Sequence, residues 1–343
     1  MPALADQVPL AVVGERLCTD LVDVTDDPAC LDGDGFWAAV VPYRGTPTFA
    51  RFATIRPARP WRGQRWRGPA ADAWQTSLDQ RSFTAGVRRI REAILDGDVY
   101  QVNLTRRLTA PIETDSDIAA LGAALAIGNP APYSAVVRVP AAGLHVASAS
   151  PERYLRREGR LVWSSPIKGT AANPESFLAK DQAENVMIVD LVRNDLGRVC
   201  DYGSVCVPAL LAVEHHPGLV HLVSTVAGEL SDGVGWPELI DATFPPGSIT
   251  GAPKGAAMGL IDELEPVPRS VYCGAVGWVD ADRGIGELNV AIRTFWIEEL
   301  DGATLLCFGT GGGITHDSDP AGEWAETELK AHTLLAVASA RDA

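Results

Sequence analysis

Two hydrophobic patterns alternate along the chain and predict its secondary structure. In some segments apolar residues recur every three or four positions, which is the spacing of an amphipathic helix. The first such segment ends on Gly97, a residue typical of helix C-termini, and Pro253 suits the first turn of another helix. Helices are therefore predicted over roughly 82–98, 176–198, 250–264 and 320–339.

Other segments alternate apolar and polar residues, as half-buried strands do. Many follow one another as hairpin-like pairs, and few belong to a strand–helix–strand repeat. This order predicts an α+β fold rather than a doubly wound parallel sheet. The clearest predicted strands are VYQVNLTRRL (99–108), YSAVVRV (133–139), LHVASAS (144–150), RLVWSS (160–165), VYCGAVGWVD (271–280), ELNVAIRTFWIEEL (287–300) and ATLLCFGTG (303–311).

The N-terminal part has shorter apolar runs and more turn residues than the rest of the chain. Residues 1–55 mix short apolar runs with turn residues and predict strands and loops, so residues 1–80 are expected to form a strand-rich subdomain ahead of a larger globular region at 81–343. Six arginines lie between residues 51 and 67, interleaved with tryptophans. Such a stripe could bind RNA, but a solvated connector is the preferred interpretation because the chain as a whole is acidic.

Composition narrows the class of protein. The chain has 343 residues, 46% of them apolar, and a formal net charge of −15, which argues against a nucleic-acid binder. Its six cysteines form no CxxC pair, as is usual for thiols of a reducing cytoplasm, and no zinc site is signalled. No apolar stretch approaches a membrane span, and the N-terminus lacks the basic start of a secretory signal. A soluble cytoplasmic protein is expected.

Two predicted helices carry acidic residues three positions apart. Asp181 and Glu184 lie in one, and Glu323 and Glu326 in the other, so each pair shares a helix face. Two such faces meeting would hold a hard cation such as Mg²⁺. On spacing alone, solvated helix faces are the commoner explanation.

Three further features are candidates for binding. The segment GTGGGITHDSDP (309–320) predicts a glycine-rich loop whose N–H groups could hold an anion, although it matches neither the dinucleotide-binding motif nor the P-loop. His221 lies in an apolar run, where a core histidine is the default. Arg293 lies within an apolar strand and must be paired or face a cleft, where it would suit a substrate carboxylate.

Together, these segments resemble the chorismate-utilising enzymes, a family that includes anthranilate synthase component I, aminodeoxychorismate synthase component I, isochorismate synthase and salicylate synthase. The resemblance covers roughly residues 82–335 and implies a layered α/β/β/α sandwich of two mainly antiparallel sheets with helices outside. It rests on nine strings in order: GDVYQVNLTRRL, SPERYL, PIKGT, KDQAENVMIVDLVRNDLGRV, HLVSTV, FPPGSITGAPK, YCGAVGW, NVAIRT and GGGITHDSDPAGEWAETELK.

The resemblance also implies roles for individual residues. Glu152 would be the general acid that protonates the departing C4 hydroxyl of chorismate, and His221 would lie near the substrate. The cofactor would be Mg²⁺, which would bind the ring carboxylate of chorismate. Its carboxylates would be Glu184 and Glu326, with Asp181 and Glu323 as outer partners. The enolpyruvyl carboxylate would be held by Arg293 and Tyr272, and the anion pocket completed by Thr170, Lys330 and N–H groups around Gly311 and Gly313.

Two positions indicate the branch of the family. The water-using branch has a lysine base where this chain has Gln101, so the resemblance favours ammonia as the nucleophile. Anthranilate synthases have alanine where this chain has Lys168, and lysine there is the mark of aminodeoxychorismate synthase. A lysine amine could attack C2 and be displaced when ammonia adds at C4. The expected product is 4-amino-4-deoxychorismate, a precursor of 4-aminobenzoate and so of folate or of a specialised aromatic amine.

Alternatives remain at this stage. Anthranilate synthase component I is the nearest one, and a non-catalytic protein that binds chorismate or a partner is more remote, because the acid, lysine and metal positions are intact. No cysteine lies in a GxCxG nucleophile turn, so the ammonia is expected from a separate glutaminase subunit. Lys168 could also merely pair with a carboxylate.

Overall fold

The computed structural model describes residues 4–171, 173–177, 179–216 and 219–340. The four predicted helices are confirmed. The first begins at an N-cap, where Asp79 accepts a hydrogen bond from the Ser82 N–H, and ends at Gly97 in the left-handed conformation. The α-helices are α1 (Gln80–Asp96), α2 (Ile118–Gly128), α3 (Ala179–Gly197), α4 (Trp236–Thr243), α5 (Lys254–Leu264) and α6 (Pro320–Ala338).

More residues lie in strands than in helices. The strands are β1 (Leu10–Val13), β2 (Arg16–Thr25), β3 (Phe36–Val41), β4 (Thr48–Pro57), β5 (Gln75–Thr76), β6 (Gln101–Pro111), β7 (Tyr133–Val139), β8 (Leu144–Ser150), β9 (Arg153–Glu158), β10 (Leu161–Ser165), β11 (Ile167–Ala171), β12 (Cys206–His216), β13 (Leu219–Glu229), β14 (Gly251–Ala252), β15 (Ala275–Asp280), β16 (Ile285–Val290), β17 (Thr294–Leu300) and β18 (Ala303–Ile314).

The predicted α+β class with antiparallel strands is confirmed. Every ladder between these strands is antiparallel, and hydrogen bonds link the strands into one network of 18. The N-terminal strands belong to this network, because β1 pairs with β7 and β3 pairs with β15. The subdomain boundary at residue 80 therefore stays a prediction, and the sheet is not interrupted there.

The arginine-rich segment packs its tryptophans inward. The Trp66 side chain is 1% exposed and its Nε1 donates to the carbonyl oxygen of Ala338, at the end of α6. Trp74 donates to Ser339 in the same way. Because the Trp66 ring is buried, it is not available to stack on a nucleic-acid base, which favours the connector interpretation.

Two helices were not predicted from the pattern. The α2 sequence IAALGAALAIG is apolar almost throughout, and five of its residues are buried, so it carries no polar face from which a helical period could be read. None of the described helices is long and apolar enough to cross a membrane.

Candidate active site

Strand β11 and helix α3 bring Lys168 beside Glu184. The Lys168 Nζ lies 3.9 Å from the Glu184 Oε2, and the two side chains are 11% and 16% exposed. Gly169 follows with a φ of +90°, and a Cβ there would lie 3.0 Å from the Cβ of Asp181. The missing side chain therefore lets the first turn of α3 approach β11, so that Asp181 and Glu184 both lie next to this strand.

Gln101 and Lys168 meet over Gly313. A Cβ on Gly313 would lie 2.1 Å from the Gln101 Nε2 and 3.0 Å from the Lys168 Nζ. Gln101 is fully buried, and neither its amide nitrogen nor its amide oxygen has a hydrogen-bond partner among the described residues. Since a buried amide without partners is costly, this side chain indicates a place where a small polar molecule binds.

Glu152 lies next to the lysine strand. It sits between β8 and β9, is 4% exposed, and accepts hydrogen bonds from the Ser248 hydroxyl and the backbone N–H of Ile167. Burial raises the pKa of Glu152 to about 7, against the lowering effect of Ser248, of the Lys168 charge and of Ile167. Because Ile167 directly precedes Lys168, a carboxyl group that is partly protonated near neutral pH adjoins the amine.

The same burial acts on the lysine. Loss of solvent lowers the pKa of Lys168, and the positive charge of Lys330 lowers it further. The carboxylates of Glu184, Glu152 and Glu326 oppose this shift without cancelling it. The site therefore makes the neutral amine, which is the nucleophilic form, easier to reach than in a solvent-exposed lysine.

The prediction of a loop over residues 309–320 is wrong for its first half. Gly309 to Ile314 continue β18 and pair with β6 in unbroken register, with Gly311 opposite Thr105 and Gly313 opposite Asn103. Glycine is rare in strands, but here side chains of neighbouring elements occupy the space that a Cβ would take. The chain leaves the strand only after Ile314.

Helix α6 brings its two carboxylates to the edge of this strand. A Cβ on Gly312 would lie 3.1 Å from the Glu323 Oε2 and 3.9 Å from the Glu326 Oε1. The Ser318 hydroxyl donates to Glu323 over 2.6 Å. Lys330 pairs with Glu326 over 2.7 Å and donates to the carbonyl oxygen of Gly311 over 3.0 Å.

These carboxylates fit a hard cation only in part. Asp181 and Glu184 on α3, and Glu323 and Glu326 on α6, are the oxygen donors that Mg²⁺ prefers, and the glycine strand leaves room beside them. Among the described residues, however, no three acidic, histidine or cysteine side chains form a ready metal cage. The set therefore suits an ion held by one or two carboxylates and completed by water or substrate oxygens, as is usual for Mg²⁺.

Arg293 lies at the point where β17 begins. Its φ of +51° is unusual for a residue with a side chain. Two residues later Phe295 pairs with Phe308, the residue directly before Gly309. No described residue forms an ion pair or hydrogen bond with its guanidinium, and burial lowers its pKa. An arginine in this state suits an anionic ligand.

The other predicted residues fall around this centre. Tyr272 is 7% exposed and packs on Gly309, where a Cβ would lie 2.1 Å from its Cγ. His221 is 2% exposed on β13 and stands opposite Thr170 of β11, two residues from Lys168. The side chain of Thr170 lies outside the described part of the structure.

Ser248 was not predicted as part of the site. It lies in the FPPGSITGAPK string, but a serine after a Pro–Gly turn is common and its pattern carries no chemical signal. Only the fold brings its hydroxyl to Glu152.

The chain is similar in sequence to known enzymes of one family. The family model for chorismate binding enzymes matches residues 62–336. The chain is 42% identical over 320 residues to an aminodeoxychorismate synthase of Streptomyces pristinaespiralis, covering 83% of this chain and 43% of that protein. It is 36% identical to aminodeoxychorismate synthase component 1 of Escherichia coli, covering 87% and 68%. It is also 40% identical to anthranilate synthase component 1 of Streptomyces coelicolor, covering 76% and 52%.

Solved structures agree on the fold. An anthranilate synthase component I from Streptococcus pneumoniae superposes with a TM-score of 0.74 at 25% identity, covering 88% of this chain and 81% of that one. An isochorismate synthase structure from Bacillus anthracis superposes with a TM-score of 0.80 at 24% identity, covering 97% and 96%. The chain spans less than half the length of the Streptomyces pristinaespiralis relative, and the names of its relatives cover more than one reaction.

Proposed function

The chain belongs to the chorismate binding enzymes, and we propose that it is component I of an aminodeoxychorismate synthase. It would convert chorismate and ammonia to 4-amino-4-deoxychorismate. The observation that carries the proposal is the buried amine of Lys168, which adjoins Glu152 and meets the Gln101 amide over Gly313.

Lys168 and Glu152 would perform the first step together. The neutral amine attacks C2 of chorismate, both ring double bonds shift, and the C4 hydroxyl leaves as water after taking the proton of Glu152. The raised pKa of Glu152, about 7, keeps a useful fraction of this acid protonated at neutral pH. Ammonia then adds at C4 and the C2–nitrogen bond to Lys168 breaks.

The two carboxylates of the substrate would be held by separate groups. Arg293, with no counterion among the described residues, and Tyr272 would bind the enolpyruvyl carboxylate. Lys330, Thr170 and N–H groups of Gly311 and Gly313 would complete the anion pocket, with His221 nearby. Glu184 and Glu326, with Asp181 and Glu323 behind them, would hold Mg²⁺, which supplies charge neutralisation at the ring carboxylate.

Gln101 supports ammonia rather than water as the nucleophile. A carboxamide does not titrate in the working range and cannot act as a general base for water. Its unpartnered amide can instead form hydrogen bonds with a neutral polar molecule.

Anthranilate synthase component I is the second candidate, favoured by the 40% identity to the Streptomyces coelicolor protein. Because identities to both kinds of enzyme are similar, the choice depends on Lys168. Relatives named "component 1" support a separate ammonia-supplying glutaminase subunit. A cytoplasmic location is also proposed, with all six cysteines as unpaired thiols.

The test is a product assay. The purified chain is incubated with chorismate, Mg²⁺ and ammonium at mildly alkaline pH, and the products are separated by chromatography and identified by mass. We expect a product of aminodeoxychorismate mass that an added lyase converts to 4-aminobenzoate. Fluorescent anthranilate would support the second candidate instead.

A further inference from the structure

A small cavity adjoins Glu152 on the protein interior. Helix α3 forms one wall, the turn that leads from α4 to β14 forms another, and strands β9 and β10 close it. It is large enough for a single water-sized molecule. The lining residues that matter here are Glu152, Ser164, Val192, Asp195, Thr243 and Ser248.

The polar wall of this cavity is held rigidly. The Lys254 Nζ lies 2.7 Å from the Asp195 Oδ2 and also donates to the carbonyl oxygen of Thr243 over 3.3 Å. The Tyr154 hydroxyl donates to the Thr243 hydroxyl over 2.5 Å, since that hydroxyl itself donates to the carbonyl oxygen of Leu239. These contacts hold Asp195 and Thr243, two residues that line the cavity, in place.

A second cavity provides a contrast. It is lined by Glu265 and by Arg106, Arg107 and Arg269, so most of its charged side chains are hydrogen-bond donors, and each arginine is already paired with a glutamate. The cavity beside Glu152 has a single arginine, Arg153, which pairs with Glu287. The cavity beside Glu152 instead offers acceptors to the hydrogens of ammonia.

We propose that the cavity lined by Glu152, Ser164, Asp195 and Ser248 is the binding site for the ammonia or ammonium that serves as second substrate. The inference rests on the proposed function and locates the nucleophile beside the group that releases the C4 hydroxyl. The size of the cavity would select ammonia over larger amines.

This location also balances the protons. Glu152 loses its proton to the departing hydroxyl, which leaves as water, and becomes a carboxylate facing the cavity. An ammonium ion returns a proton to Glu152 and becomes ammonia, whose lone pair forms the new bond to C4. The bond between C2 and the lysine nitrogen breaks, its electrons return to the amine, and the product carries the ammonium charge. Glu152 and Lys168 are then back in their starting forms.

Filling the cavity tests the binding site. Ser164→Leu places an apolar side chain in the space, and we expect the KM for ammonium to rise at least ~10-fold while the KM for chorismate changes less than ~2-fold. Ser134→Leu, the same change at an exposed position of β7, is the matched control and should alter neither constant. An unchanged ammonium KM in folded Ser164→Leu would overturn the proposal.

Enlarging the cavity gives a gain of function that unfolding cannot mimic. Val192→Ala should raise turnover with methylamine relative to ammonia by at least ~5-fold, because the added space accepts one methyl group. Unchanged selectivity would contradict the site. A wild-type protein that forms no aminated product would refute the proposed function itself, whereas normal amination with both variants unaffected would refute the cavity alone.

Discussion

The two halves of the candidate site differ in their exposure to solvent. Gln101, Glu152 and Lys168 lie in the interior. Burial raises the pKa of Glu152 and lowers the pKa of Lys168, and both shifts favour the neutral form of the group. Glu326 and Lys330 lie at the open edge of the glycine strand, with side chains 45% and 47% exposed. Neutral amine and neutral acid are needed for covalent chemistry, whereas charged carboxylates are needed for a cation. Of the two proposed metal carboxylates, Glu326 lies in the open half and Glu184 lies beside Lys168 at the boundary with the buried half.

The largest expected effect comes from removing the buried amine. Lys168→Ala should lower aminodeoxychorismate formation by at least ~10³-fold, because the covalent route is lost. Direct attack of ammonia at C2 then becomes the remaining route, and anthranilate should appear as a minor product. The measurement is product separation by mass, with thermal unfolding as the control for folding. Full aminodeoxychorismate activity in this variant would exclude the covalent role.

The open half should respond to metal instead. Glu326→Gln should raise the Mg²⁺ concentration for half-maximal activity by ~10²-fold, since one ionised ligand is lost. Glu328→Gln on the same helix is the matched control, because Glu328 pairs with Arg106 and is not among the proposed ligands. The measurement is a magnesium titration together with direct binding of Mn²⁺ by electron paramagnetic resonance. Equal metal dependence in the two variants would contradict the ligand assignment.

Burial of Glu152 should also appear in the stability of the protein. Its pKa is raised from 4.5 to about 7 on folding, so the folded state holds this proton more tightly than the unfolded chain. The favourable contribution is complete below pH 4.5 and is lost as the pH rises through 7. The glutamine variant lacks this contribution at every pH. The unfolding free energy of Glu152→Gln minus that of wild type should therefore rise by about 2 kcal/mol from about pH 5.5 to pH 8.

Urea unfolding at the two pH values measures this difference. Glu238→Gln, at an exposed helix start, serves as the control for a general effect of removing a carboxylate. A stability difference between Glu152→Gln and wild type that does not change with pH would mean that Glu152 ionises normally in the folded protein.

The smallest effect tests how closely the buried half approaches the glycine strand. Gly313→Ala adds a methyl group that would overlap the amides and amine of Gln101 and Lys168, and we expect kcat to fall ~10-fold. Gly259→Ala, on α5 with nothing within 4 Å of the added Cβ, is the matched control and should leave kcat unchanged. Equal kcat values in steady-state assays would show that the amide and amine do not need their close packing.

The sequence predicted the helices of the site better than its strands. The carboxylate pairs of α3 and α6 could be placed on one helix face each, because a period of 3.6 residues fixes which side chains are neighbours. The glycine strand was predicted only in part, as a strand to residue 311 but also as a loop over 309–320, since intrinsic preference disfavours glycine in strands and the approach of Gln101 and Glu323 is a tertiary effect.

Other features of the site depend on contacts that are distant in sequence. Ser248 and Glu152 are 96 positions apart in the chain, and no local sequence pattern predicts the hydrogen bond between them. The left-handed backbone of Arg293 could not be predicted either, because the residue is neither glycine nor asparagine, the types that usually adopt it. Burial, which shifts both pKa values, exists only in the folded protein.

The most direct test of the central claim is intact-protein mass spectrometry of an acid-quenched mixture of the chain, chorismate and Mg²⁺ without ammonium. The account predicts that a fraction of the protein gains the mass of chorismate less one water, and that peptide mapping places the adduct on Lys168. The Lys168→Ala variant should gain no mass. Normal amination by the wild type with no adduct at Lys168 would contradict the account.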